Sequence, residues 1–268
     1  MIESLKQIVS RKSSTFQNIC ALREELQILT LKAIYNDKYF NNIAFLGGTA
    51  LRIIHKINRY SEDLDFSLIN GNGYDFIKLN ETIVDFFASN NIKVESKPDA
   101  SKTVHSTFLK FGDVLQNTGL PVPKTQKLSI KFEVDSNPPA GATTEYLQFS
   151  GKHTFRLSVS DLPSMFAGKL HACHCRKYTK GRDFYDLMWY LGKKILPNFN
   201  LLNNAILQTQ NISLNINKDN LNNFIQNIVD KANFESIRKD VKPFLFDINE
   251  AEMLNKTAFE SLLKYYNR

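Results

Sequence analysis

The chain has 268 residues, 43% of them apolar and 12% aromatic, with only 11 Gly and 8 Pro. That content can bury a sizeable core in one large or two small domains and excludes disordered, collagen-like and coiled-coil classes. The 34 Lys and Arg against 27 Asp and Glu leave a net charge of +7, which allows a polyanionic partner without requiring one.

Apolar residues at three- and four-residue spacing, Phe16, Ile19, Leu22, Leu26, Leu29 and Ala33, predict a long amphipathic helix from Ser13 to about Asn36, with Ser13 or Ser14 as N-cap. A short apolar run, Asn42 to Leu46, ends at Gly47-Gly48-Thr49, and Leu51, Ile54 and Ile57 then take helical spacing. The order is strand, glycine turn, helix. Asp63-Leu64-Asp65-Phe66-Ser67-Leu68 alternates with period two, so Leu64, Phe66 and Leu68 face the core and Asp63 and Asp65 share the other face. A helix is expected over Tyr74 to Ala88. A second alternating strand, Leu128 to Asp135, carries Lys131, Glu133 and Asp135 on one face and stops before Pro138-Pro139. From Ser160 onward the spacing is helical, including the Asn-rich stretch 198–227, which keeps Leu201, Ile206, Leu221 and Phe224 in register.

Carboxylates at i and i+2 on one strand face lie close enough to share divalent cations, and without a counter-charge they repel. Oxygen-only donors suit Mg²⁺ or Mn²⁺. The same spacing also suits a solvated strand face at a loop exit. The glycine turn before it can offer backbone N–H groups to a phosphate, so the two features together describe what a nucleoside triphosphate with its metal needs. Other groups carry less. His171, Cys173, His174 and Cys175 spread over more than one helix face, unlike the separated pairs that zinc draws on. His105 and Thr107 lie in a polar stretch with no visible partner. Arg59, Lys177, Lys180 and Arg182 could form a basic rim, though each by itself reads as a surface charge. Cys20, Cys173 and Cys175 are too few for a disulfide framework. No apolar run approaches the roughly 18 residues of a membrane span, and the first residues lack a signal-peptide core. A cytoplasmic protein with no membrane partner is expected.

Gly47-Gly48-Thr49-Ala50-Leu51-Arg52, followed by Arg59-Tyr60-Ser61-Glu62-Asp63-Leu64-Asp65-Phe66, resembles the signature of the AbiEii/AbiGii toxin family of nucleotidyltransferases, within the DNA polymerase β-like superfamily. Phe166-Ala167-Gly168-Lys169-Leu170-His171-Ala172 and Lys180-Gly181-Arg182-Asp183-Phe184-Tyr185-Asp186-Leu187 are similar to its downstream block. The resemblance spans residues 40–192 and implies an α/β fold: a polymerase β-like core with a mixed sheet over 36–150, a helical segment 1–35 before it and a mainly helical C-terminal region 151–268. It implies that Gly47, Gly48 and Thr49 bind the triphosphate, that Asp63 and Asp65 bind metal with a third carboxylate, Glu133 or else Asp135, and that Lys169 and Asp183 belong to the site. Lys169 would meet the triphosphate; Asp183 would support the metal centre or position Lys169. Asp186 reads as solvated or ion-paired.

The implied activity is that of a toxin from a bacterial toxin–antitoxin or phage-defence system, with a cognate antitoxin as partner. It would transfer NMP from an NTP, with Mg²⁺ or Mn²⁺, to an RNA acceptor such as the tRNA 3′ end. Phosphotransfer, protein nucleotidylation and a non-catalytic nucleotide-binding module are the rival readings.

Overall fold

A computed structural model describes residues 2–9, 14–176, 178 and 180–266. The chain divides into a sheet unit, Met1–Lys56, Tyr60–Pro138 and Glu145–Val159, and a helical unit, Ile57–Arg59, Pro139–Thr144 and Ser160–Arg268.

The sheet unit opens with α1 (Ile2–Val9) and α2 (Thr15–Asn36). Ser14 caps α2 by accepting the Gln17 N–H at 3.2 Å, whereas Ser13 lies outside the described residues. Leu22, Leu26, Leu29 and Ala33 are buried, and α2 packs on its own unit's α4 and β5. There follow β1 (Ile43–Leu46), α3 (Gly47–Ile53), β2 (Leu64–Leu68), α4 (Phe76–Ser89), β3 (Val94–Glu95), β4 (Val104–Phe111), α5 (Val114–Asn117), β5 (Leu128–Asp135), β6 (Thr144–Ser150) and β7 (Thr154–Ser160). The seven strands form one sheet in the order β3-β4-β5-β2-β1-β7-β6. It is mixed: β1–β2, β3–β4 and β4–β5 are antiparallel, while β2–β5 and β1–β7 are parallel. The fold is α/β, as expected.

Period-two patterning sets the sheet's two faces. On β5, Leu128, Ile130, Phe132 and Val134 are buried and the four residues between them are half-buried. Phe66 packs between Phe45 at 5.3 Å and Phe132 at 5.1 Å, centroid to centroid. Truncating such a ring to Ala typically costs about 3–5 kcal/mol, so these side chains hold β1, β2 and β5 in register. β4 escaped the sequence reading because its middle, His105-Ser106-Thr107, is polar on both faces. It pairs with β5 along its whole length. Thr107 is buried opposite Phe132, and His105 Nδ1 meets Tyr74 Oη at 3.0 Å, so neither residue stands alone in a polar stretch.

The helical unit contains α6 (Leu162–Cys175), α7 (Gly181–Gly192), α8 (Phe199–Gln210), α9 (Leu221–Asp230), α10 (Phe234–Val241) and α11 (Lys256–Tyr266). Asp161 caps α6 through the Ser164 N–H at 2.8 Å. The 198–227 stretch is largely helical, with Leu201, Ile206, Leu221 and Phe224 buried. At the start of α7 a side chain on Gly181 would run into the Ile237 carbonyl of α10, so only glycine allows that approach. The Gly181 N–H donates to Asp240 Oδ2 at 2.7 Å. Tyr190 stacks on Phe166 with centroids 4.4 Å apart and fixes α7 on α6. The short piece Ile57–Arg59 joins this unit by a β-bridge between Arg59 and Leu245. No described helix is long and apolar enough to cross a membrane.

Candidate active site

In the sheet unit, β1 delivers the chain straight into α3, and Gly47 is both the turn and the first helical residue. Its φ of +80° is left-handed, and an added Cβ would lie 2.7 Å from Asp65 Oδ2. Glycine therefore lets the Asp65 carboxylate sit against the turn. Gly48 lies in the first turn of α3. Thr49 is fully buried, and its hydroxyl donates to the Asp63 carbonyl, tying the turn to the entry of β2. What this turn can offer an anion is backbone N–H, since the Thr49 hydroxyl is engaged.

Asp63 immediately precedes β2 and Asp65 lies within it; both are half-buried. The parallel ladder aligns Asp65 with Glu133 and Ser67 with Asp135, so Glu133 is the β5 carboxylate beside Asp65. Asp135 instead accepts the Asn137 N–H at 3.0 Å, closing the end of β5. Lys131, two residues before Glu133 on the same face, places Nζ 2.8 Å from Glu133 Oε1. That hydrogen bond, with the charges of Glu133, Asp63 and Asp65, raises the Lys131 pKa against a partial desolvation cost. The donor set, carboxylate oxygens on two aligned strands, is of the kind Mg²⁺ or Mn²⁺ takes. Among the described residues no three His, Cys, Asp or Glu are gathered so as to hold an ion. The third carboxylate is engaged by Lys131, so the residues fit a divalent metal in chemistry and alignment, with Glu133 already holding a cation.

The helical unit gathers a second charged cluster. Lys169 on α6 reaches two carboxylates of α7, Asp183 Oδ1 at 2.7 Å and Asp186 Oδ2 at 2.9 Å. Arg59 forks onto Asp186 at 2.6 and 2.7 Å, and Arg176 pairs with the other oxygen of Asp183. Asp186 and Arg59 are 0% and 1% exposed. The sequence reading is corrected here on two points. Arg59 is no surface charge, and Asp186, ion-paired as one alternative had it, is not solvated. The missed signal was their shared α7 context, since Asp186 falls one turn after Asp183 and so meets the same α6 face. Burial alone would lower the pKa values of Lys169 and Arg59, but the carboxylates outweigh it and both are raised. Burial likewise pushes the Asp183 carboxyl up, and the charges of Lys169, Arg176 and Lys180 overcome it and hold the pKa below the ordinary value. All four groups are therefore ionised near neutrality.

The remaining predicted groups have other partners. His171 Nε2 meets Thr209 Oγ1 at 2.8 Å, while His174 packs its ring on Phe224. Burial pushes the Cys173 thiol far up, which leaves it protonated and a poor nucleophile. Arg182 lies over the Phe244 ring, 4.2 Å from its centroid, and Lys180 precedes α7. Lys177 lies outside the described residues.

A family model, described as nucleotidyl transferase AbiEii toxin of type IV toxin–antitoxin systems, matches residues 29–265. No curated protein matches the chain. Among solved structures it is similar to JHP933 from Helicobacter pylori, at 17% identity and a TM-score of 0.53 over 92% of this chain and 93% of that one. It is also similar to a second H. pylori protein, provisionally named a nucleotidyltransferase, at 16% identity and a TM-score of 0.54 over 95% and 97% of the two chains. At those identities the likeness speaks for the fold. The family match covers most of the chain, both charged clusters included, and the chain belongs to the AbiEii family of nucleotidyl transferase toxins of type IV toxin–antitoxin systems.

Proposed function

We propose that this nucleotidyltransferase moves an NMP unit from an NTP to a hydroxyl of an RNA acceptor, the tRNA 3′ end being the leading candidate, and releases pyrophosphate. The observation that carries this reading is the alignment of Asp65 with Glu133 beside the Gly47 turn. It places carboxylates next to backbone that a side-chain-free residue leaves open. Asp63, Asp65 and Glu133 would hold divalent metal, which when bound neutralises the phosphates and lowers the pKa of the attacking hydroxyl. Gly47 and Gly48 let phosphate oxygens approach the chain closely. Lys169, kept cationic by Asp183 and Asp186, supplies a point charge to phosphate oxygens, and the two carboxylates fix where that charge stands. The net charge of +7 favours a polyanionic acceptor.

The test uses each α-³²P-labelled NTP in turn with Mg²⁺ and total RNA, resolved on a denaturing gel, with Asp65→Ala in parallel. Label in one RNA size class, absent for the variant, is the expected result and identifies nucleotide and acceptor together. Transfer retained by the variant overturns the metal assignment. Unlabelled RNA despite NTP binding overturns the RNA acceptor.

A further inference from the structure

The acidic face of the sheet unit carries a cation of its own. Lys131 and Glu133 are two residues apart on β5 and point the same way, and the ammonium sits 2.8 Å from Glu133 Oε1. The residues level with the pair on β4 are Phe108 and Ser106, and Leu46 of β1 is level with Asp65, all of them neutral. The face thus presents Asp63, Asp65 and Glu133 against the single positive charge of Lys131.

We propose that Lys131 is a tethered counter-ion that occupies the Glu133 carboxylate and must leave it when a divalent cation binds, so that metal binding here is an exchange of cations. This rests on reading Asp63, Asp65 and Glu133 as the metal-binding face. The physical argument is competition for the same oxygen lone pairs. A carboxylate oxygen that accepts from an ammonium at 2.8 Å is not free to coordinate a cation at about 2.0–2.6 Å. Lysine suits the role. Its charge is a point on a flexible stem that can swing away with no backbone movement, whereas a guanidinium would grip the carboxylate with two fixed hydrogen bonds. The ammonium side chain is 36% exposed, so water can solvate it once displaced. In the metal-free protein Lys131 relieves repulsion among the three carboxylates. The cost is a weaker apparent metal affinity.

Titration of the full chain with Mn²⁺ alone, followed by calorimetry and by the Mn²⁺ spin-resonance signal, tests this without reference to turnover. Lys131→Met should bind Mn²⁺ about three- to fivefold more tightly than the parent, the size of a half-exposed ion pair. In a Glu133→Gln background the same change should bring no gain, because the contested carboxylate is gone. Lys131→Gln repeats the charge removal should the Met variant fold poorly. Unchanged affinity on losing Lys131 overturns the exchange, as does an equal gain in both backgrounds, which would be a general field effect. Those results leave the metal face standing. Absence of Mn²⁺ binding in every variant, with an NTP present as well, sinks the metal face and the exchange with it.

Discussion

The two charged clusters differ in how completely their charges are answered. In the helical unit Asp183 and Asp186 are buried, and the guanidinium and ammonium groups of Arg59, Lys169 and Arg176 meet their oxygens. In the sheet unit Asp63, Asp65 and Glu133 are half-buried and share one lysine. Buried charge persists only when paired, and breaking one partner away is costly. Exposed, under-neutralised carboxylates add little stability and keep lone pairs for a ligand. The difference separates a cluster that positions from a cluster that binds.

The comparison is broken most directly by removing one charge from each. Asp65→Ala should lower transfer by at least about a thousandfold, some 4 kcal/mol of transition-state stabilisation. Its urea midpoint should stay at or slightly above the parent's, since a repelling carboxylate has gone. Asp186→Asn should do the reverse in stability, lowering the free energy of unfolding by about 3 kcal/mol because Arg59 is left buried without a counter-charge. Equal stability losses in the two variants would erase the distinction. A smaller effect is expected at the turn. Gly47→Ala forces a left-handed φ on a residue with a Cβ and presses that atom on Asp65, for a loss of about 1–2 kcal/mol in the same unfolding measurement. A Gly47→Ala protein as stable as its parent would show that the turn tolerates a side chain and that Asp65 can shift.

How much of this was legible beforehand follows from where the information resides. Strand β5 was read with its observed bounds, and α2 nearly so, because alternation and helical spacing are local. The Asp63 and Asp65 pair was visible for the same reason. That Asp65 is level with Glu133, and Asp135 one step beyond, depends on the register of two strands more than sixty residues apart, which no spacing records. Strand β4 stayed hidden because polar His105, Ser106 and Thr107 erase its alternation. The buried Arg59 fork onto Asp186 joins residues with a sequence separation of 127, so nothing near Arg59 distinguished it from a surface charge.

Acid titration sharpens the comparison by the smallest effect. The folded-state pKa of Asp183 is depressed by Lys169, Arg176 and Lys180 acting against burial. A carboxyl depressed on folding contributes stability that is fully present above its unfolded value, about 3.9, and is lost as pH falls through the lower folded value. Asp183→Asn cannot titrate and lacks that contribution throughout. The stability gap between parent and variant, taken from urea midpoints, should therefore be constant from about pH 7 to pH 5 and narrow as pH falls through and below about 4. Lys169 works in the opposite sense: raised on folding, its contribution is present below the ordinary lysine value and fades only at strongly alkaline pH, so it leaves the acid window undisturbed. A gap that stays constant down to pH 2.5 would mean that Asp183 gains nothing from its cationic neighbours. The helical cluster would then lose its standing as the fully compensated member of the pair.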